Sequence, residues 1–413
     1  MKIQRFDVVA TGLLVGAVTV LSATGVADDK APRPQSPDAR AQSPDARPPS
    51  AGRTMNRDQV SKVLAGWPAG PQLAGQETMS KYGPPHEVTS ERMIWNDVGP
   101  YQRIMLTRKQ LPHDFPLPHM DYLQHTINYK VPADKADDVH AFDASITIYR
   151  VGGELSARCD LESNNVLTLN LANDIVTGKR TVADARKQFG QLVMQRTLGK
   201  NPAYTTTLQF KPHTATAAAE IEAPTLPGAP KRAEASAAGT ADHAGAGAAG
   251  TAGGKADMQG GDAEILAMLI THDQDEVRAA MIAREKKVSQ PVMAFADMLH
   301  QHHGKNVLDT TQLGQKLGVR PVKTKAVEQL HEKDASGLAK VVALDGQAFE
   351  RAFLDHMVKG HTDAIQLVDQ QIQAAQNEAL KTHLTRTRQQ LVKHLDEARR
   401  LQGEQGSNRT SRR

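Results

Sequence analysis

One cysteine, Cys159, stands in 413 residues. A lone cysteine has no partner in its own chain, so no internal disulfide staples this protein and any bridge would reach another molecule. Stability must come from packing, and Cys159 is expected as a small buried hydrophobe. Long apolar runs are scarce as well. The run Val8–Leu21 is broken only by Thr and Gly and stops short of the roughly 20 residues that span a bilayer. Nothing later in the chain is apolar enough to cross a membrane. A basic body is also missing. The net charge is +4, but residues 1–27 and 28–53 each carry +1 and residues 403–413 carry +2, so 54–402 is neutral. Without a basic stripe, nucleic acid is excluded as the partner. Val176-Thr177-Gly178-Lys179 lacks the eight-residue phosphate-loop pattern, which removes nucleotide binding.

What is present begins with an export signal. Lys2 and Arg5 precede the apolar run, and Gly25-Val26-Ala27 supplies small residues for signal-peptidase cleavage after Ala27. No cysteine follows the run, so no lipid attachment site is present. Residues 28–53 repeat Gln-Ser-Pro-Asp-Ala-Arg from Gln35 and again from Gln42, and they read as a disordered linker. A second linker, rich in Ala and Gly, covers 213–261. Two folded regions remain, 54–212 and 262–402, with a basic tail at 403–413. The fold class is therefore multidomain: an N-terminal α+β domain and a C-terminal all-α four-helix bundle, joined by a disordered linker.

In the first region Ile127 and Tyr129 alternate with polar residues, as do Ile146 and Ile148. Leu208 and Phe210 suggest a further strand near 204–210. Asn164–Val176 and Thr181–Leu198 read as helices, the second capped by Thr181. In the second region the helices are expected at 262–289, from Pro291 to Leu317, at 346–374 and at 376–402. Pro291 suits a first helical position, and Gly318 a C-terminal stop. About 25 residues with some helical character connect the second and third helices. Helices of about 28 residues are some 40 Å long, and two such hairpins make a four-helix bundle.

Polar residues interrupt the apolar seams of these helices. Val292, Phe295, Leu299, His302, Asn306 and Thr310 follow spacings of three and four, as do Phe353, Met357, His361 and Ile365. Leu384, Thr387, Leu391, His394 and Ala398 continue in heptads, and Glu276 borders the seam of the first helix. Glu276, His302, His361 and His394 lie near the midpoints of their helices, at one level for any bundle topology. A carboxylate and three imidazoles there could hold Fe, Mn, Cu or Zn. Glu350, Asp355 and Asn306 are candidate acceptors for the second ring nitrogens. The same residues could instead form a polar layer that fixes helix register. His272, His300, His303, His356 and His383 lie off these seams and are expected in solvent. In the first region His113, His119 and Asp121 crowd a proline-stiffened loop that could hold a metal or simply bridge two strands.

Phe295-Ala296-Asp297-Met298-Leu299 with Gln301-His302, Phe349-Glu350-Arg351-Ala352-Phe353, Met357-Val358-Lys359-Gly360-His361 and the late His394 carry a resemblance. From Ile265 to Leu401 the chain is similar to a bacterial family of exported proteins, the domain of unknown function 4142. The resemblance implies a ferritin-like bundle in a periplasmic or outer-membrane-associated protein, and assigns no activity. That family usually has Asp-His where Gln301-His302 stands here, and Phe-Asp in place of Phe349-Glu350. Iron-oxidising ferritins use paired Glu-x-x-His motifs, and none falls in the four expected helices. The first region is loosely similar to uncharacterised bacterial exported domains. These readings converge on a non-enzymatic envelope protein whose bundle packs, self-associates or binds an envelope partner and could hold a metal. The alternative is a metal-binding redox or storage protein using the Glu/His site.

Overall fold

In the computed structural model residues 55–220 and 261–410 are described, with side chains through Glu404 in the last helix. The segments expected as signal peptide (1–27) and linker (28–53), most of the expected linker 213–261 and the end of the tail lie outside the described residues. The described residues fall in one compact unit, Ala51–Arg413.

The first region opens with α1 (Arg57–Leu64), started by a capping box in which Asn56 and Gln59 each accept the other's backbone amide. α2 (Ala69–Tyr82) follows. Six strands then build one antiparallel sheet in the order β1-β2-β3-β4-β6-β5. They are β1 (Glu87–Val88), β2 (Arg92–Val98), β3 (Tyr101–His113), β4 (His119–Asn128), β5 (Thr147–Tyr149) and β6 (Glu154–Cys159). The short helix α3 (Ala136–Phe142) separates β4 from β5. α4 (Glu162–Val176) and α5 (Val182–Thr197) follow, α5 capped by Thr181 as its sequence implies. Alternate strand residues such as Ile104, Leu106, Leu123, Ile127 and Leu155 meet Leu167, Leu171 and Phe189 in the core.

The segment 204–210 is not a strand. Residues Ala203–Thr206 form the single turn α6, and the backbone beyond it bonds to the side chain of Asn170. That amide donates to Tyr204 O and Thr207 O, and its oxygen accepts from Gln209 N at 2.7 Å. With its polar groups satisfied by one buried side chain, the segment needs no neighbouring strand. The region also runs past residue 212, into the stretch expected as linker. His213 N donates to Asn128 O, Ala218 is buried in the turn α7 (Ala215–Ala218), and Glu220 pairs with Arg150.

The second region is entirely helical and has five helices: α8 (Asp262–Glu285), α9 (Gln290–Leu317), α10 (Lys325–Val342), α11 (Gly346–Ala374) and α12 (Glu378–Thr410). α10 occupies the expected connection. Thr324 caps it, and Val327, Ala335, Leu338 and Val342 bury its apolar stripe. α8 packs on α9, α9 on α12, α12 on α11 and α11 on α8, while α10 lies against α2, α8 and α11. One core unites α2 with this layer: Ala69 and Leu73 pack among Phe295, Phe349, Phe353 and Leu338. Glu332 of α10 accepts the amide of Ala69 at 2.8 Å, supplying an acceptor that α2 lacks at its start. Arg278 of α8 forms a two-pronged pair with Glu77 of α2. Among the described residues no helix is long and apolar enough to cross a membrane.

α5 meets α9 at Gly304. A Cβ there would lie 1.7 Å from the carbonyl oxygen of Thr197, so only glycine permits this approach. Beside it, His300 Nε2 donates to Arg196 O at 2.8 Å. These contacts fix the rotation of α9 about its axis and thereby decide which of its histidines faces inward.

Candidate metal centre in the helical core

The inward stripe of α9 runs through Val292, Phe295, Ala296, Leu299, His300, His303, Val307 and Thr310. His303 is buried, and His302 is only half-buried at its flank. The expected order of these two neighbours is therefore reversed. His272 and His300, expected in solvent, are buried too, and His356 and His383 are half-buried. On α9 the physical reason is the glycine contact just described, together with Val307, which draws the 303–307 edge inward; His272 and His356 are covered by α10, at Asp334 and Gly337, and His383 meets Thr310 of α9.

His303, His361 and His394 come together from α9, α11 and α12, with one ligand nitrogen from each within 4.8 Å of the others. Their second nitrogens are largely committed. His361 Nδ1 donates to Met357 O at 2.9 Å, which leaves Nε2 with its lone pair toward the cluster. His303 Nδ1 donates to Asp273 Oδ1 at 2.8 Å, and its Nε2 has no hydrogen-bond partner among the described residues. Asp273 is held in turn: Asn306 Nδ2 donates to its Oδ2 at 2.7 Å, and Thr387 Oγ1 donates to Asn306 Oδ1 at 3.1 Å. The carboxylate–histidine pair is the arrangement that orients an imidazole for a metal. Among the three candidate supports, only Asn306 serves here. Glu350 accepts from Ser289 N and Oγ at the start of α9, and Asp355 accepts from Gln402.

His394 stands between two rings. Its Nδ1 is 3.3 Å from His361 Nε2, and its Nε2 is 2.9 Å from His302 Nδ1. With no ion present, a proton on His394 Nδ1 satisfies His361, and His302 donates to His394 Nε2. Moving that proton to Nε2 frees Nδ1 and turns the bond to His302 around, at the cost of the bond to His361, which an ion shared by the two lone pairs would replace.

Electrostatics keep these rings neutral. Burial lowers His361 to about 3 and His394 to about 2, with neighbouring histidines adding to the effect. His303 is likewise driven well down by burial and by His394 and His361. The carboxyls nearby move the other way. Burial pushes Asp273 up to about 7 against the pull of His272 and Asn306, and Glu276 up to about 8. A cation in the core would relieve both.

Of the four residues expected to converge, His361 and His394 do so, and His302 reaches the cluster only through His394. Glu276 sits behind His361, with Oε1 4.0 Å from Nδ1, on the side opposite the shared nitrogens. Its Oε2 has no hydrogen-bond partner among the described residues. Next to it, burial opposes a charge on His272, but Asp334 and Glu276 outweigh that and hold it up at about 9. A cleft of about 290 Å³, lined in part by Met268, His272, Lys333, Asp334 and Asp363, opens beside these residues.

In the first region His113, His119 and Asp121 also come together, as their loop suggested, with ligand atoms within 4.8 Å. Cys159 is buried as expected, but it is not a mere hydrophobe: its sulfur lies 3.2 Å from His119 Nε2, from Asp160 Oδ1 and from Asn164 Nδ2.

The geometry defines the second region as a helical domain with a histidine-lined core. Residues 247–401, about a third of the chain, match the family model described as Domain of unknown function (DUF4142). The resemblance carried by the Phe295, Phe349 and His361 segments is thus matched over the whole helical region. No curated protein matches the chain. Among solved structures, a DUF305 protein from Streptomyces coelicolor is similar at 15% identity and a TM-score of 0.32, over 35% of this chain and 93% of that one.

Proposed function

We propose that the helical region is a metal-binding module of an exported, non-enzymatic envelope protein, holding one first-row transition ion on His303, His361 and His394. The observation that carries this reading is the convergence of three buried, neutral imidazoles whose remaining nitrogens have partners of their own. Imidazole donors suit Zn, Cu, Fe or Ni better than Mg or Ca. Three histidines leave one position of a tetrahedral ion open for water or another ligand. His272 lines the 290 Å³ cleft, and Glu276 lies behind His361 on the side away from the shared nitrogens. Export rests on the residues of the segment 1–27, and the bundle is read as ferritin-like, with α10 added to four long helices.

A polar layer that only fixes helix register is the second reading. The unbroken relay His302–His394–His361 favours it, because it satisfies these rings without an ion. Elemental analysis of the mature chain, purified without a histidine tag, separates the two. In a chain carrying His119→Gln and Asp121→Asn, so that the hairpin cluster does not contribute, the metal reading expects close to one equivalent of metal, lost when His361→Ala is added and kept with His383→Ala. Metal below about a tenth of an equivalent leaves the polar layer. Under either reading the outer helix faces remain available for self-association or an envelope partner.

A further inference from the structure

The end of the β3–β4 hairpin carries a second cluster of ligand atoms that the helical core does not use. His113 and His119 are direct cross-strand partners, so their side chains share one face of the sheet, with ring centroids 5.0 Å apart. Asp121, two residues along β4, lies on that same face and is only 5% exposed. Its carboxylate is straddled: Oδ2 is 3.3 Å from His113 Nδ1, and Oδ1 is 3.1 Å from His119 Nε2. Yet neither His113 Nδ1 nor Asp121 Oδ1 has a hydrogen-bond partner among the described residues.

The tautomers explain why. His119 Nδ1 lies 2.8 Å from Leu117 O and must carry its proton to donate there. In the neutral ring Nε2 is then a lone pair that faces a carboxylate oxygen. Two acceptors at 3.1 Å repel unless a positive charge sits between them or on the ring. His113 repeats the pattern. Its Nε2 is 3.7 Å from Asp143 Oδ1, so the tautomer with its proton on Nε2 presents Nδ1 as a lone pair toward Asp121. Asp143, fixed by Ser145 and Thr168, is the carboxylate beyond that nitrogen. Two half-buried imidazole nitrogens and a buried carboxylate thus converge, and the donor beside them is the Cys159 thiol, 3.2 Å from His119 Nε2.

We propose that this pocket is a second metal site, for a divalent ion of the zinc class, held by His113 Nδ1, His119 Nε2 and Asp121. Two imidazoles and one carboxylate are a zinc donor set that leaves a fourth position open. The Cys159 thiol lies beside the ion. While the site is empty its S–H can serve His119 Nε2. With the ion in place it turns to Asp160 Oδ1, which is equally distant. The site is independent of the helical core and stands whether or not that core binds metal.

The test uses the full mature chain, without tag histidines, carrying His361→Ala and His394→Ala to disable the core cluster. Equilibrium dialysis against Zn²⁺ is expected to leave about one equivalent bound. Adding Asp121→Asn, which keeps shape and volume, or His119→Gln should weaken that binding at least about tenfold. Circular dichroism and the unfolding midpoint report whether each variant is folded, and a folded Asp121→Asn suffices alone. Cys159→Ser should keep the ion within about threefold. Failure to retain zinc in the disabled background overturns the proposal and leaves an imidazolium–carboxylate pair in its place. Zinc retained equally by Asp121→Asn and His119→Gln, or lost in Cys159→Ser, overturns the assignment of ligands.

Discussion

Asp273→Asn is the perturbation that probes the core most selectively, because it changes no proposed ligand. Asp273 is 1% exposed and accepts from both His303 Nδ1 and Asn306 Nδ2. Asparagine fits the same volume but brings one donor and one acceptor. If its amide nitrogen faces His303, the ring must accept at Nδ1 and carry its proton on Nε2. The lone pair that would bind the ion is then lost. If instead the introduced amide and that of Asn306 both turn over, Thr387 can accept from Asn306, and His303 keeps its tautomer but faces a neutral oxygen. The second outcome is the milder one. Loss of such a support costs about 10–100-fold in metal affinity, or about 1.4–2.7 kcal/mol. Competition between the protein and a chromophoric chelator for Zn²⁺ or Co²⁺ measures it, with the hairpin site disabled by His119→Gln and Asp121→Asn together. Affinity within about threefold of the parent would refute the role given to Asp273, and with it the tautomer argument for His303.

Other consequences follow from the same geometry. His303→Ala should abolish binding in the core, whereas His302→Ala should weaken it only a few-fold, since His302 touches the cluster through His394 alone; equal losses in chelator competition would contradict this. Gly304→Ala should cost about 3 kcal/mol or more in urea unfolding, because its Cβ would meet the Thr197 carbonyl at 1.7 Å. A change below about 0.5 kcal/mol would mean that α5 and α9 do not touch as described. Burial lowers His125 to about 4 from 6.5. Between those values the unfolded chain holds a proton that the folded chain lacks, so stability is full above pH 6.5 and falls as pH drops toward 4. The loss approaches about 3 kcal/mol, at up to about 1.4 kcal/mol per pH unit. His125→Gln should remove that slope from the pH dependence of unfolding, and an unchanged slope would place the charge elsewhere.

The long helices were legible because their apolar periods persist over many turns. α9 and α11 end where Gly318 and the 346–374 seam indicate. α10 was harder to read, since its apolar stripe is matched by α2 and α8, partners distant in sequence. The His302–His303 choice is a one-residue rotation of α9. Spacings of three and four from Leu299 reach either residue, and the deciding contact, Gly304 on Thr197, comes from the other region. Gly304 and Val307 were the local signal: a glycine and an apolar residue continuing the stripe beyond His303. The Asp273 support was invisible for a related reason, because it depends on how far α8 is rotated against α9. In the first region the crowding of His113, His119 and Asp121 is local and could be read directly. The approach of Cys159 depends on β4 pairing with β6, in which Leu123 faces Cys159. No local pattern encodes that register.

Elemental analysis of the mature, untagged protein bears most directly on the histidine core. A stoichiometric transition metal is expected in a chain carrying His119→Gln and Asp121→Asn, which isolates the core, and its loss is expected when His361→Ala is added. Metal below about a tenth of an equivalent in the first protein, after equilibration with Zn²⁺, Cu²⁺ or Fe²⁺, would contradict a metal centre on His303, His361 and His394.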